Sequence, residues 1–167
     1  GPALMSGGDL EARLADILRQ APSLMGVMEI ARDLALPDWM IFSGAIYQKA
    51  VNHLTGRDLD YGLKDYDLGY FDAADLSYEA EDRVIRRAAA AYPPPLDTLV
   101  ALTRFTTPMF AVGARLEPDG TLRIFAPFGL EDLFALRLRP NPTRPTMGFA
   151  RTAEAAMARW PELTLAD

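Results

Sequence analysis

The sequence has no cysteine, one histidine and only two lysines among its 167 residues. Without cysteine the chain can form neither a disulfide framework nor a thiolate metal site. A nucleic-acid binder usually carries a stripe of lysine and arginine. Here 17 basic residues stand against 23 acidic ones, which gives a net charge of −6 at pH 7. This balance argues against nucleic acid as a partner, because the phosphate backbone binds positively charged surfaces.

Long apolar runs are also absent, so the sequence predicts neither a membrane span nor a secretory signal. Half of the residues are hydrophobic and 24% are charged, as in ordinary globular proteins. We therefore expect a cytoplasmic protein that does not bind membranes. Residues 1–8 are expected to be a tag remnant or a disordered tail, and residues 9–167 to form a single domain.

A pair of aspartates, Asp65 and Asp67, is the most informative feature that is present. Residues two apart in a strand point to the same face, roughly 6.5–7 Å apart. Two carboxylates at that distance can hold metal ions about 3.5–4 Å apart, as in two-metal phosphoryl-transfer sites. A second pair, Asp58 and Asp60, falls in a predicted loop and is the match that chance alone would give.

The residues before the pair predict a strand, a glycine turn and a helix, with the acidic strand next. The buried strand covers residues 39–42, the turn is Ser43-Gly44-Ala45, and the helix runs over residues 45–54. The free N–H groups and positive dipole end of such a helix suit a phosphate oxygen. Lys49, one turn into the helix, is a better phosphate candidate than Lys64, and an exposed surface role is the alternative for either lysine.

The whole pattern predicts an α/β (α+β) domain, with a mixed sheet flanked by helices, two N-terminal helices and a C-terminal β-hairpin plus helix. We expect Asp9 to cap the first helix, Ser23 to cap the second, and Pro37 to end it. Charges in the order that the helix dipole favours predict a further helix over residues 78–91. The last predicted elements are strands around residues 110–116 and 122–126, a short helix around 131–137 and a helix around 149–159.

Several motifs together resemble a bacterial family of nucleotidyltransferases with the DNA polymerase beta-like catalytic fold. The resemblance extends from about the second helix to the C-terminus. Its motifs are SGAIYQ at 43–48, LTGRD at 54–58, YGLKDYD at 61–67, YFD at 70–72, FAPFGLEDLF at 125–134 and RPNP at 139–142.

The resemblance implies a nucleotidyltransferase-like fold and a reaction that uses a nucleoside triphosphate with Mg²⁺ or Mn²⁺. It assigns Asp65 and Asp67 as the catalytic metal ligands. By the resemblance the phosphates would be contacted at the turn Ser43-Gly44-Ala45, and by its place on the helix Lys49 would contact them too. The implied function is transfer of a nucleoside monophosphate to a hydroxyl of a small molecule or protein. The alternative is a catalytically incomplete module that binds a nucleotide or a protein partner without turnover.

One departure from the family pattern favours that alternative. The superfamily usually has a third carboxylate on a later strand, and the substitutes available here are Asp72 and Asp75. Relatives also have more chain where this sequence passes from an alanine run into Tyr-Pro-Pro-Pro. We therefore expect residues to be missing between Arg87 and Tyr92.

Overall fold

A computed structural model describes residues 7–36, 38–64, 66–69, 78–80, 83–87, 102–145 and 147–166. The helices are α1 (Gly7–Arg19), α2 (Pro22–Leu34), α3 (Gly44–Leu54), α4 (Glu131–Phe134) and α5 (Phe149–Arg159). The strands are β1 (Met40–Phe42), β2 (Tyr66–Gly69), β3 (Tyr78–Ala80), β4 (Arg83–Arg87), β5 (Gly113–Leu116), β6 (Leu122–Phe125), β7 (Arg137–Leu138) and β8 (Thr164–Leu165).

Six strands form one mixed sheet in the order β3-β4-β2-β1-β5-β6. Strands β2 and β4 run parallel, and the other neighbours in this sheet are antiparallel. Strands β7 and β8 pair separately and in parallel. The predicted α/β architecture, with two N-terminal helices and a C-terminal hairpin plus helix, is confirmed.

Helices α1, α2 and α3 cover one face of the sheet and build the main core with it. The alternation along β2 places Tyr66 and Leu68 in this core, fully buried. A smaller cluster that includes Met40 and Phe42 fills the opposite face. Each fully buried large apolar side chain contributes roughly 1.5–3 kcal/mol. Both faces of β1 are therefore fixed by packing, which holds its C-terminal end in place where α3 begins.

The helix predicted over residues 78–91 is wrong. The described part of this segment forms β3 and β4, which pair with each other, and β4 also pairs with β2. The two β-branched residues Val84 and Ile85 suit a strand, and pairing within a large sheet overrides the charge order that favours a helix. A strand, β4, therefore lies beside β2. The residues after Arg87 in the interval predicted to lack residues lie outside the described ranges. The two substitute carboxylates, Asp72 and Asp75, lie outside them as well.

The predicted cap of α2 is also wrong. The N-cap is Ala21, with Pro22 in the first turn. The Ser23 hydroxyl instead lies 2.6 Å from the Tyr66 hydroxyl, so it ties α2 to β2. The helix ends at Leu34, before Ala35 in a left-handed conformation, and Pro37 lies outside the described residues.

The C-terminal half agrees with its prediction, except that the short helix ends at Phe134 and Arg137 begins β7. Strands β5 and β6 form the antiparallel hairpin, with Leu116 opposite Leu122. The last helix covers the predicted residues 149–159. No helix within the described part of the chain is both long and apolar enough to cross a membrane.

Candidate active site at the start of α3

A cavity of about 160 Å³ lies where the start of α3, the following loop, β2 and the end of α5 meet. Its lining comes from residues 44–48, from residues 62–67 and from residue 159, which is about a hundred residues further along the chain. Its lining residues are Gly44, Ala45, Gln48, Gly62, Leu63, Lys64, Asp67 and Arg159. The sequence-predicted Gly44, Ala45 and Asp67 therefore share one cavity.

The turn into α3 is built around Ser43, which has φ 55° and ψ −117°. Its N–H donates to the Val112 carbonyl at 2.8 Å, which holds the turn against the residue preceding β5. Its carbonyl accepts the first hydrogen bonds of the helix, from Ile46 at 2.9 Å and Tyr47 at 2.8 Å. The N–H groups of Gly44 and Ala45 consequently have no intrahelical acceptor. Ser43 itself shapes the turn and does not line the cavity.

Glycine at position 44 leaves room for the side chain one turn further on. A Cβ there would lie 3.2 Å from Gln48 Nε2, closer than most carbon contacts. Gln48 is buried, and its Oε1 has no hydrogen-bond partner among the described groups. A buried unsatisfied oxygen costs about 1–3 kcal/mol, so a ligand donor or cation that reached it would recover stability.

Asp67 is half-buried and points to the face of β2 opposite Tyr66 and Leu68. On the neighbouring parallel strand β4, the residue in register with it is Arg86. Asp65 lies outside the described residues, so the predicted pairing of the two carboxylates stays a prediction.

Lys49 lies away from the cavity. It is fully buried, its Nζ donates to Asp60 Oδ1 at 2.7 Å, and it stands 5.8 Å from the centre of the Tyr66 ring. The expectation of an exposed surface lysine is therefore wrong for Lys49, and its phosphate role stays a prediction. Lys64 is exposed and lines the cavity, so the structure places that lysine beside Asp67.

Asn52 is a structural residue of the site that sequence reasoning missed. Its Nδ2 donates to the carbonyls of Leu59 at 3.0 Å and Tyr61 at 2.9 Å. Its Oδ1 accepts from Trp160 Nε1 at 2.8 Å. These bonds fasten the loop that carries Gly62 to Lys64, so they set one wall of the cavity. The sequence did contain a sign of this role, because Gln48, Lys49 and Asn52 are polar residues on a helix that is otherwise largely apolar.

Arg159 was missed as well, and nothing in the local sequence marks it. It comes to the cavity because the Tyr61 hydroxyl donates to its carbonyl at 2.9 Å. Gly62, at φ +80°, leaves room for its side chain, since a Cβ there would lie 3.1 Å from Arg159 Cδ. With Lys64 it supplies two positive charges to the cavity that Asp67 also lines.

The oxygen atoms that the described residues offer in this cavity suit a hard cation as ligands. Asp67 offers carboxylate oxygens and Gln48 an unpartnered amide oxygen, and Mg²⁺ prefers oxygen ligands. No group of three or more acidic, histidine or cysteine side chains with metal-site geometry occurs among the described residues. Asp65, the second predicted ligand, is outside them.

Comparison with known structures gives two matches with the same fold. One is an NMR structure that reveals a CCA-adding enzyme head domain, 20% identical, covering 92% of this chain and 94% of its own, with a TM-score of 0.71. The other is a tRNA nucleotidyltransferase complexed with a primer tRNA and an incoming ATP analog, 16% identical, with a TM-score of 0.56. The match covers 84% of this chain and 46% of that protein. No curated protein matches the sequence.

The sequence also matches a protein family described as Nucleotidyltransferase, over residues 29–100 and 93–165. The two segments overlap and together cover far more than half of the chain. The chain therefore belongs to this nucleotidyltransferase family.

Proposed function

We propose that this protein is a metal-dependent nucleotidyltransferase that moves a nucleoside monophosphate from a nucleoside triphosphate to a hydroxyl of a small molecule or protein. Nucleotidyl transfer in general follows from the family. The acceptor class, the metal dependence and the residues that act are the parts we propose.

One observation supports the proposal above all others. Asp67 shares a cavity with the start of α3, whose first N–H groups have no intrahelical acceptor, and with the cations Lys64 and Arg159. A triphosphate carries a high negative charge, so it suits a helix N-terminus and cationic side chains. A carboxylate in the same cavity would repel the phosphates, and a divalent cation bound between them would turn that repulsion into attraction.

In the proposed reaction the acceptor oxygen bonds to the α-phosphorus, the bond to the bridging oxygen breaks, pyrophosphate leaves and the hydroxyl proton is released. Asp65 and Asp67 would hold Mg²⁺ or Mn²⁺, which when bound neutralises phosphate charge. The N–H groups of Gly44 and Ala45 would orient phosphate oxygens, and Lys64 would stabilise charge on the departing pyrophosphate.

Calorimetric titration with Mg²⁺ and each nucleoside triphosphate tests the proposal. We expect at least one triphosphate to bind, and Asp67→Asn to weaken that binding by about tenfold or more, because a charged ligand to the cation is lost. Asp58→Asn is the matched control. Asp58 is exposed and accepts the Asp60 N–H at 2.9 Å, a bond that asparagine keeps. Equal affinities of wild type and Asp67→Asn would refute the assignment.

A second candidate function is nucleotide binding without turnover. The observation in its favour is the register of β4, which places the backbone of Arg86 beside Asp67. The superfamily usually has a third carboxylate on a strand in this region. A pyrophosphate-release assay with bound triphosphate and a panel of hydroxyl acceptors separates the two, since the binding module would release none under conditions that saturate the site.

A further inference from the structure

A second cavity, of about 330 Å³, lies between α3 and α5 and shares Arg159 with the candidate active site. Its volume falls in the range of small-molecule pockets, roughly 300–1,000 Å³. We call it the arginine–aromatic cavity. Its lining residues are Tyr47, Phe110, Arg151, Thr152, Ala155, Ala156, Arg159 and Trp160.

One wall of the arginine–aromatic cavity is aromatic. The rings of Tyr47 and Phe110 stack with centroids 4.4 Å apart, and Trp160 meets Tyr47 edge-on at 6.3 Å. Burial raises the pKa of Tyr47, against smaller opposing effects of the Gln48 side chain and Arg159. The hydroxyl therefore stays neutral at physiological pH and does not repel an anion. This wall suits a planar or apolar group.

The opposite wall is the face of α5 that carries Arg151, Ala155 and Arg159. Residues four apart share one side of a helix, and the small alanine between the arginines leaves the space open. The two arginines are separated by roughly 12 Å along the helix axis. Among the described residues no carboxylate lies within 4 Å of either guanidinium. Both guanidinium groups are thus available to a phosphate or carboxylate of a ligand.

We propose that the arginine–aromatic cavity is the acceptor subsite, and that the acceptor is a small molecule joining a phosphate or carboxylate to a planar or apolar body. The anion binds Arg151 at the far end, and the body lies on Tyr47 and Phe110. The hydroxyl then points toward Arg159, which lines both cavities. This assignment rests on the proposed function, because it places the hydroxyl beside the phosphates of the nucleotide.

Charge separates an acceptor from the two other ligands that could occupy the cavity. A nucleotide base is neutral, so it would leave Arg151 without an anion. A nucleic-acid acceptor would have to approach a protein of net charge −6, and such binding depends on many cationic contacts. A small anionic acceptor satisfies both walls without an extended basic surface.

Binding of phenyl phosphate and benzoate, followed by NMR titration, tests the subsite. Both probes combine a ring with an anion, and the stronger of the two identifies the preferred anion. We expect Arg151→Gln to weaken binding by about tenfold, since a charge-assisted hydrogen bond is lost. The matched control is Arg144→Gln, an exposed arginine that does not line either cavity, and it should bind the probes like wild type.

Four results would overturn the acceptor subsite. They are absence of probe binding, equal binding by wild type and Arg151→Gln, displacement of phenyl phosphate by the Mg²⁺–nucleotide, and displacement by a short RNA with a free 3′ hydroxyl. The proposed function fails independently, when no triphosphate binds or Asp67→Asn binds it unchanged. Probe binding through Arg151 in a protein that binds no triphosphate would support the anion site and refute only the transfer reaction.

Discussion

Ser43 is one of four non-glycine residues with a positive φ in the described part of the chain. A φ of 55° with ψ −117° is a conformation that glycine tolerates and residues with a Cβ rarely adopt, and such strain costs about 1–3 kcal/mol. Its side chain makes no capping hydrogen bond that would offset this cost. Strain retained at a strand-to-helix turn beside a cavity is typical of functional sites.

We therefore predict that Ser43→Gly stabilises the protein by about 1 kcal/mol, because relief of strain exceeds the roughly 0.5–1 kcal/mol entropic cost of a glycine. Chemical denaturation measures the change in unfolding free energy. Ser43→Ala keeps the Cβ and should be close to neutral, although loss of a capping serine normally costs about 1 kcal/mol. A destabilised Ser43→Ala with an unchanged Ser43→Gly would show that the hydroxyl caps α3 after all.

The two lysines allow a second test at this scale. Lys64 lines the cavity and is exposed, so Lys64→Met should weaken Mg²⁺–nucleotide binding by roughly tenfold and leave stability within about 0.5 kcal/mol of wild type. Lys49 is buried against Asp60, whose side chain is 37% exposed. Lys49→Met should lower the unfolding free energy by about 1–2 kcal/mol, since Asp60 loses the ion pair with Lys49 but keeps part of its hydration. Nucleotide titration and denaturation of both variants check this. Weaker nucleotide binding in Lys49→Met, with lower stability in Lys64→Met, would identify Lys49 as the phosphate ligand.

The sequence predicted which of several residues lie at the cavity, but it did not predict which lysine is buried or that Arg159 reaches the cavity. Gly44 and Asp67 could be placed because strand, turn and helix signals are local. The burial of Lys49 could not be predicted, because it depends on Asp60, eleven residues away, folding back over the helix. Arg159 reaches the cavity only through contacts between the ends of the chain, such as Tyr61 to the Arg159 carbonyl.

At the scale of elements, α3 and the loop after it behave as one unit joined by Asn52. Replacing Asn52 with alanine leaves the carbonyls of Leu59 and Tyr61 and the indole N–H of Trp160 without their partner. Each buried unsatisfied group costs about 1–3 kcal/mol, and the costs are not additive, so we predict a loss of about 3 kcal/mol. Thermal and urea unfolding measure it. His53→Ala, an exposed neighbour on the same helix, should change stability by less than about 0.5 kcal/mol. An equal response of the two variants would contradict the role of Asn52.

The error at β3 and β4 also belongs to this scale. The charges of residues 78–91 follow the order of a helix, and a helical signal of that kind is local. On β2 the strand partner of Ile85 is Tyr66, which lies nineteen residues earlier, is buried in the core and contacts Ser23 of α2. A local sequence pattern cannot show which distant strand Ile85 pairs with. The hairpin of β5 and β6 could be predicted because its turn and both strands are contiguous.

For the whole molecule, the C-terminal part is fastened by a cluster in which Asp132 accepts from Arg137 at 2.7 Å and from Arg139 at 3.1 Å. Asp132 is buried and joins α4 to β7, and β8 pairs with β7 near the chain end. None of these three residues lines either of the two cavities to which Arg159 contributes. Substitutions in this cluster should therefore change the stability of the fold and leave the candidate active site unchanged.

The last prediction concerns acid. Burial raises the pKa of Asp132, but hydrogen bonds and charge interactions with Arg139 and Arg137 outweigh it, so the pKa lies below its ordinary value of 3.8. A carboxyl group with a lowered folded-state pKa stabilises the fold fully above the unfolded value, and this stability is lost as the pH falls through the folded value. Asp132→Asn has no such charge, so it should be less stable than wild type by about 2 kcal/mol near neutral pH. The difference should shrink steadily once the pH falls below about 4. Urea unfolding of both proteins between pH 7 and pH 2.5 measures it, with the exposed Asp16→Asn as control. A penalty for Asp132→Asn that stayed constant over this range would mean that shape, and not the charge of Asp132, holds the two arginines.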